Sequence, residues 1–180
     1  MRGSAVAQNY AEVLFELAQP SGRLEEYGRL IDATWSAIDG TPALQSVLMS
    51  PKVPKQLKAK LVADALTQAG APAEFGRYLG AVIRRGRQLL FGEIADAYHA
   101  MVDRSLNRVR ASITVAREPD EAMRRDLAAA LTRMLAKEVL PSYHVDPAVL
   151  GGAIVRLGDR VFDGSLRRRL MRLRRQLLTA

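Results

Sequence analysis

Two short apolar segments around a Gly-Asp pair constrain the end of this chain more than any other feature of the sequence. The segments cover residues 150–157 and 160–163, between Asp146 and Ser165. A two-residue loop whose first residue is glycine, here Gly158, favours a type II′ turn between antiparallel strands. The sequence therefore predicts a β-hairpin, and Ser165 is placed to cap a helix that follows it.

The glycines in and after this hairpin are interpreted as backbone devices rather than as a ligand site. Gly151 and Gly152 fall within the first predicted strand, which indicates a bulge or a close approach of another backbone segment. A phosphate-binding loop would need a lysine, and neither Gly158 nor Gly164 is followed by one. The residues of this structural motif are Gly151, Gly152, Gly158, Asp163, Gly164 and Ser165.

Helical spacing dominates residues 1–107. Ser4 can cap a first helix that ends at Ala18, and Thr41-Pro42 places an N-cap before a proline in the first turn of another. Glycine and proline breaks delimit six helices, predicted over residues 5–18, 23–39, 42–49, 55–69, 72–86 and 89–106. Six short helices with brief connections predict an antiparallel bundle.

After residue 107 the apolar period changes from helical to alternating. Val109 to Ala116 alternate between apolar and other residues, which predicts a half-buried strand. An amphipathic helix is predicted over residues 120–139, and residues 143–145 form a weak strand. The predicted fold class is mainly α with a small α/β C-terminal part. An N-terminal six-helix bundle over residues 1–107 precedes a short β-sheet with two helices over residues 108–180.

Positive charge is concentrated in the second part of the chain. Residues 1–107 hold 12 Lys and Arg against 11 Asp and Glu, a net charge of +1, and residues 108–180 hold 15 against 8, a net charge of +7. The asymmetry indicates that the second part meets something acidic, which could be nucleic acid, anionic lipid or an acidic protein. The chain has no cysteine, which excludes disulfides and zinc–thiolate sites. No apolar run is long enough to cross a membrane, so we expect no membrane insertion.

The predicted closing helix, residues 166–178, combines a leucine seam with a dense arginine run. The leucines recur at steps of four and three residues, which is typical of a coiled-coil seam, and arginines cover the other faces. Arginines in a first turn oppose the helix dipole, so an acidic partner would relieve that conflict. A core helix with a solvated basic face is the alternative. The candidate partner-binding residues are Leu166, Leu170, Leu173, Leu177, Arg167, Arg168 and Arg174.

A basic nucleic-acid-binding module and an enzyme are the two rival classes. Clustered arginine and an isoelectric point near 10.3 are typical of the first, but the basic helix lacks aromatic residues on which bases could stack. For the second, the chain offers only two histidines, His99 and His144, in different parts, and no catalytic or nucleotide-binding motif. We therefore expect no catalytic residue, no cofactor and no metal.

The first helix carries two apolar stripes. Val6, Tyr10, Val13, Leu14 and Leu17 form a stripe that is expected to face the core. The second stripe consists of the smaller Ala7, Ala11 and Ala18 together with Phe15. Small residues can leave a shallow groove in which another helix docks. A groove is the interpretation for Ala11 and Phe15, and core is the interpretation for Leu14.

These motifs together resemble one family, the delta subunit of the bacterial F-type ATP synthase, whose mitochondrial counterpart is called OSCP. The strongest element of the resemblance is the C-terminal motif, from Asp146-Pro147 through Leu150-Gly151-Gly152 and Gly158-Asp159 to Asp163-Gly164-Ser165. Tyr10-Ala11 and Leu14-Phe15 on the first helix and Gly86-Arg87 after the fifth support it. The order and spacing of the motifs extend over nearly the whole chain.

The resemblance implies a non-catalytic stator subunit that links the catalytic head to the peripheral stalk. Its N-terminal domain would hold the N-terminal helix of an alpha subunit, with beta as a further head partner. It would do so in a groove between the first and fifth helices, at Tyr10, Ala11, Leu14, Phe15, Leu79, Val82 and Ile83. The C-terminal part would hold b or b-prime subunits of the stalk. The implied location is peripheral, at the cytoplasmic face of the bacterial inner membrane.

Overall fold

A computed structural model of the chain describes residues 4–166, 168 and 171. Contacts between residues divide the chain into two units, Met1–Val102 and Asp103–Ala180. The chain is mainly α, with a small four-stranded sheet near its C-terminal end, as the sequence predicts. No helix among residues 4–166 is long and apolar enough to cross a membrane.

Six α-helices precede the first strand. Local signals define most of their ends: the Ser4 side chain accepts a hydrogen bond from the Ala7 amide, and Pro42 occupies the first turn of α3. A short 3₁₀ turn, Gln88–Leu90, precedes α6. The helices are α1 (Ala5–Ala18), α2 (Leu24–Asp39), α3 (Pro42–Met49), α4 (Lys55–Gln68), α5 (Ala73–Arg84) and α6 (Phe91–Ser105).

One apolar core joins these helices, and polar side chains tie their ends together. The Tyr98 hydroxyl on α6 donates to the carbonyl of Leu24 at the start of α2, at 2.7 Å. The ammonium group of Lys58 is buried and donates to the carbonyls of Leu48 and Ser50, each at 2.7 Å, where α3 ends. A cation at the C-terminus of a helix is favourable because the carbonyls there are unpaired and carry partial negative charge.

The sheet of the second unit has the strand order β2-β1-β3-β4. Strand β1 pairs in parallel with β2, with Arg108 opposite Glu138, and antiparallel with β3, with Ser112 opposite Arg156. Ala111, Ile113 and Val115 of β1 face a small apolar core, which confirms the predicted alternation. The strands are β1 (Arg108–Val115), β2 (Glu138–Val145), β3 (Ala153–Leu157) and β4 (Arg160–Asp163).

The helix between β1 and β2 is shorter than its sequence indicates. Asp120 caps α7 (Glu121–Leu135) by accepting a hydrogen bond from Met123, and Ala136 ends the helix in the left-handed region with φ of 52°. The prediction that the helix continues to residue 139 is wrong. Residues 138–145 instead form β2, because their backbone pairs with β1. Pro141 is tolerated within this strand since β2 lies at the edge of the sheet.

The β3–β4 hairpin forms around Gly158-Asp159 as predicted. Leu157 lies opposite Arg160, and Gly158 has a positive φ of 57°, as the first position of a type II′ turn requires. The start of β3 differs from the prediction. Residues 150–152 are not strand, because Leu150 and Gly152 both adopt positive φ after a 3₁₀ turn at Pro147–Val149.

Candidate protein-binding surfaces

Helix α1 buries its small residues together with Leu14, while most of the larger apolar residues lie on an adjacent, exposed face. Its alanines Ala7, Ala11 and Ala18 are fully buried together with Leu14. The larger residues Val6, Val13 and Leu17 are exposed to 37%, 47% and 37%. The expectation that Val6, Val13 and Leu17 face the core is therefore wrong, whereas Leu14 is buried as predicted. Alanines let the backbone of α1 approach its neighbours closely, and the larger apolar side chains then remain at the surface.

A groove lies between this exposed stripe and the loop that follows α5. It has a volume of about 270 Å³ and combines apolar side chains of α1 with two guanidinium groups from the loop. Exposed apolar side chains at positions i, i+4 and i+7 form a continuous strip along a helix. Such a strip beside two cations suits an amphipathic helix that carries an acidic residue. The lining residues are Val6, Asn9, Tyr10, Val13, Arg85 and Arg87.

A buried tyrosine holds α1 and α5 together beneath this groove. The Tyr78 hydroxyl of α5 donates to the main-chain carbonyl of Tyr10 on α1, at 2.8 Å. Burial, with a smaller contribution from the nearby phenol of Tyr10, raises the pKa of Tyr78 well above its usual range. The phenol therefore stays protonated and keeps its hydrogen bond at every physiological pH.

The residues predicted for this groove lie mostly below its surface. The structure buries five of them completely in the core of the first unit, namely Ala11, Leu14, Leu79, Val82 and Ile83. Tyr10 and Phe15 are half-buried, and Tyr10 lines the groove. The five buried residues therefore shape the groove from beneath, and their role in binding a partner stays a prediction.

Val6, Val13, Arg85 and Arg87 line the groove and were not among the predicted site residues. The sequence does contain a signal for the valines, because α1 is apolar on two faces and only one face can be buried. Choosing between the two faces requires knowing that α5 is close enough to exclude large side chains. The arginines lie in a loop after α5, where no helical pattern marks them.

The C-terminal motif is a compact backbone junction. The Gly164 amide donates to the carbonyl of Ala153 at 3.0 Å, and the Asp163 side chain accepts from the Ser165 amide at 3.0 Å. The Ser165 hydroxyl in turn accepts from the Arg168 amide at 3.2 Å, so Ser165 caps the closing helix as predicted. Asp163 therefore stabilises the start of that helix.

Only the start of the predicted stalk-binding helix belongs to the described residues. Leu166 is 45% exposed and reaches towards Gly151, and Arg168 is exposed. The remaining predicted residues, Arg167, Leu170, Leu173, Arg174 and Leu177, lie outside the described residues. Binding of the stalk by this helix stays a prediction.

One histidine links two helices of the first unit through an aspartate. The ring of His99 on α6 lies 2.8 Å from both carboxylate oxygens of Asp32 on α2, where it ties two helices together. Within residues 4–166, no three His, Asp or Glu side chains come together in a way that could hold a metal ion. Fold and surfaces define a mainly helical two-unit protein with a partly apolar groove beside α1 that two arginines also line.

Comparison with known proteins gives the family. Residues 6–177 match the family described as the ATP synthase delta (OSCP) subunit. The chain is 37% identical to the ATP synthase subunit delta of Gemmatimonas aurantiaca, over 98% of this chain and 95% of that one. It is 35% identical to the subunit delta of Desulforamulus reducens, over 99% and 98% of the two chains. The chain belongs to the ATP synthase delta (OSCP) family.

Solved structures show the same fold at lower sequence identity. A chain of the mitochondrial ATP synthase hexamer of Toxoplasma gondii matches with a TM-score of 0.72 at 22% identity, over 97% of this chain and 98% of that one. A chain of the Polytomella F-ATP synthase matches with a TM-score of 0.52 at 17% identity, over 58% of this chain and 93% of that one. None of these comparisons supports the nucleic-acid alternative.

Proposed function

We propose that this protein is a non-catalytic stator subunit of the F-type ATP synthase. It holds the catalytic head to the peripheral stalk, so that the head does not turn with the rotor and rotation drives ATP synthesis. The observation that carries the proposal is the match to the delta family over residues 6–177. A joint that resists torque needs tight contacts to two partners, and the chain offers two units with different charge and different surfaces.

The first unit is the part that binds the head. The six helices α1 to α6 act as one bundle. The groove beside α1 receives the N-terminal helix of an alpha subunit. Val6 and Val13 offer the apolar contact, in the manner of an amphipathic helix laid into a groove. Arg85 and Arg87 select an acidic residue on that helix, because each guanidinium group would otherwise lose hydration without gaining a partner.

The second unit is the part that binds the b or b-prime subunits of the stalk. Residues 108–180 carry a net charge of +7, and six of their arginines lie in residues 167–175. Complementary charge fixes the register of a helix pair and speeds its assembly. The end of the stalk in the same organism is therefore acidic, and a basic C-terminal segment in that b chain would contradict this part of the proposal.

The place of the protein follows from these two partners. It is a peripheral component of the complex and reaches the membrane only through the stalk. In a bacterium the assembled protein lies at the cytoplasmic face of the inner membrane, where the catalytic head projects.

Binding of a synthetic peptide tests the head contact directly. The peptide reproduces the N-terminal helix of the alpha subunit from the same organism, carries a fluorophore, and is titrated with the full chain while anisotropy is recorded. Val13→Glu removes apolar contact and places a carboxylate that competes for Arg85 and Arg87 with the acidic residue of the helix. It is expected to weaken binding about 30-fold, which corresponds to about 2 kcal/mol.

Leu61→Glu on α4 is the matched control, since Leu61 is exposed to 48% against 47% for Val13 and does not line the groove. Its affinity should equal that of the unmodified chain. Equal affinities for all three proteins would overturn the groove between α1 and α5 as the head-binding site. Failure of the unmodified chain to bind the peptide at all would overturn the assignment of the first unit.

A further inference from the structure

A second groove crosses the first unit along the contact between α4 and α5. It has a volume of about 440 Å³, larger than the groove beside α1. Small residues form its floor, including Ala59 and Ala63 of α4 and Gly76 and Gly80 of α5. Gly76 is buried, yet a Cβ atom built on it would meet no other heavy atom within 4 Å. The floor is therefore open at Gly76, whereas at Gly80 a Cβ atom would lie 3.2 Å from the guanidinium group of Arg84. The groove thus has room at Gly76 for a side chain that the unit itself does not supply.

The charged residues that line this groove are all basic. Lys60, Arg77 and Arg84 line it and are exposed, and none of its lining residues is Asp or Glu. Arg77 lies 3.5 Å from Glu74 on its own helix, an exposed pair that contributes little. Neither Lys60 nor Arg84 forms an ion pair within the described part of the chain. The rim therefore has positive charge to offer to an acidic partner.

The length of the groove fits a short helix. Its lining extends along α4 from Gln56 to Thr67 and along α5 from Ala73 to Arg84. Each stretch of twelve residues spans about 18 Å, or about three turns of helix. A third helix packs well against two packed helices when small residues let the backbones approach closely.

We propose that the groove between α4 and α5 binds an acidic amphipathic helix of a partner protein within the assembled complex. The helix presents small apolar residues to Ala63, Gly76 and Gly80, and places Asp or Glu beside Lys60 and Arg84. This site is distinct from the groove beside α1, so the first unit has two helix-binding surfaces of different chemistry. The first is lined by valines and the second by glycines and alanines beneath a basic rim.

Photo-crosslinking in the assembled ATP synthase tests this proposal. The photoreactive residue p-benzoylphenylalanine replaces Thr67, which is exposed and lines the groove. After irradiation, the crosslinked peptide is identified by mass spectrometry. We expect a crosslink to a predicted helix of another subunit that carries several Asp or Glu residues. The same probe placed at Val13 reports separately on the groove beside α1, so failure of one site is distinguishable from failure of the other.

Two variants of the Thr67 probe protein link the crosslink to the groove. Gly76→Leu places a larger side chain in the floor at a position where a Cβ atom meets no other heavy atom within 4 Å, and leucine favours the helix more than glycine does. The double change Lys60→Glu and Arg84→Glu reverses the rim charge. Each is expected to lower the crosslink yield about tenfold, which corresponds to about 1.4 kcal/mol of binding. Arg29→Glu, at an exposed arginine of α2, is the control and should leave the yield unchanged.

Four results would overturn the proposal. The first is the absence of any crosslink from position 67 in a complex where position 13 does crosslink. The second is a crosslink within this chain or to a second copy of it. The third is a partner segment without acidic residues. The fourth is a yield that both Gly76→Leu and the charge reversal leave unchanged.

Discussion

Glycine is required where two backbone segments of the C-terminal unit approach each other most closely. Gly152 has a φ of 75°, and a Cβ atom built on it would lie 2.5 Å from the carbonyl oxygen of Gly164. Gly158 also has a positive φ, of 57°, but a Cβ atom there would meet nothing within 4 Å. The two glycines share a backbone preference and differ only in the space around them. They therefore separate the cost of conformation from the cost of a clash with main-chain atoms.

Replacing each glycine by alanine should destabilise the sheet to different extents. Gly158→Ala should cost about 1 kcal/mol, which is the penalty for placing a Cβ in the left-handed region. Gly152→Ala should cost more than about 3 kcal/mol, because the Gly164 backbone must also move. Hydrogen exchange of amides in β1 and β3 measures this for the unit that contains the sheet. Equal costs for both variants would contradict the close approach at Gly152.

Caps could be predicted residue by residue, whereas burial could not. Ser4 and Ser165 each accept the hydrogen bond that the sequence suggests, because a cap depends only on residues within one turn. Thr41 occupies the predicted cap position, but its side chain makes no capping hydrogen bond. The burial of Ala11 rather than Val13 depends on which neighbour packs against α1 and how closely. That information is spread over α2 and α5 and is absent from the period of α1 itself.

The ends of helices and strands likewise depend in some cases on neighbouring residues and in others on residues far away in the sequence. Most helices of the first unit end within about two residues of prediction because proline and glycine break them locally. The boundary between α7 and β2 was missed because it depends on pairing with β1, about 30 residues earlier in the chain. Met134 illustrates the point, since it lies on the apolar stripe of α7 and is nevertheless 58% exposed. Leu131 and Leu135 at the same end of the helix do pack against the core of the sheet, so Met134 lies beside the buried face, not on it.

Two buried tyrosines are expected to make the first unit less stable at alkaline pH. Burial raises the pKa of both Tyr78 and Tyr98 in the folded chain. The ordinary phenol in the unfolded chain ionises near pH 10. The stabilising effect is complete below that pH and is lost as the pH rises further, because only the unfolded chain then releases the proton.

Tyr78→Phe should therefore change both the stability and its pH dependence. The variant loses the hydrogen bond to Tyr10 and should be about 1 kcal/mol less stable at pH 8. Between about pH 9.5 and 11.5 it should lose less stability than the unmodified chain, since one buried phenol has been removed. Urea unfolding followed by the fluorescence of Trp35 measures both effects. If the free energy of unfolding of the two proteins changed with pH in the same way, Tyr78 would not contribute to the loss of stability at alkaline pH.

At the scale of the whole molecule, the change from helical to mixed structure along the chain is easier to predict from the sequence than the surfaces are. The change of apolar period and the charge asymmetry both fall near residue 107, and both are visible without a structure. The groove beside α1 and the groove between α4 and α5 are visible only once the helices are packed, because each is lined by two separate elements. The periodicity of the sequence alone therefore does not predict binding sites that are built from several helices.

The central claim is that this one chain holds the catalytic head and the peripheral stalk at the same time. Purified head and a soluble stalk fragment are mixed with or without the chain, and the stalk that sediments with the head is quantified. The account predicts that the stalk sediments only when the chain is present. Val13→Glu should reduce that amount, and Leu61→Glu should not. Equal recovery of the stalk without the chain would contradict the account.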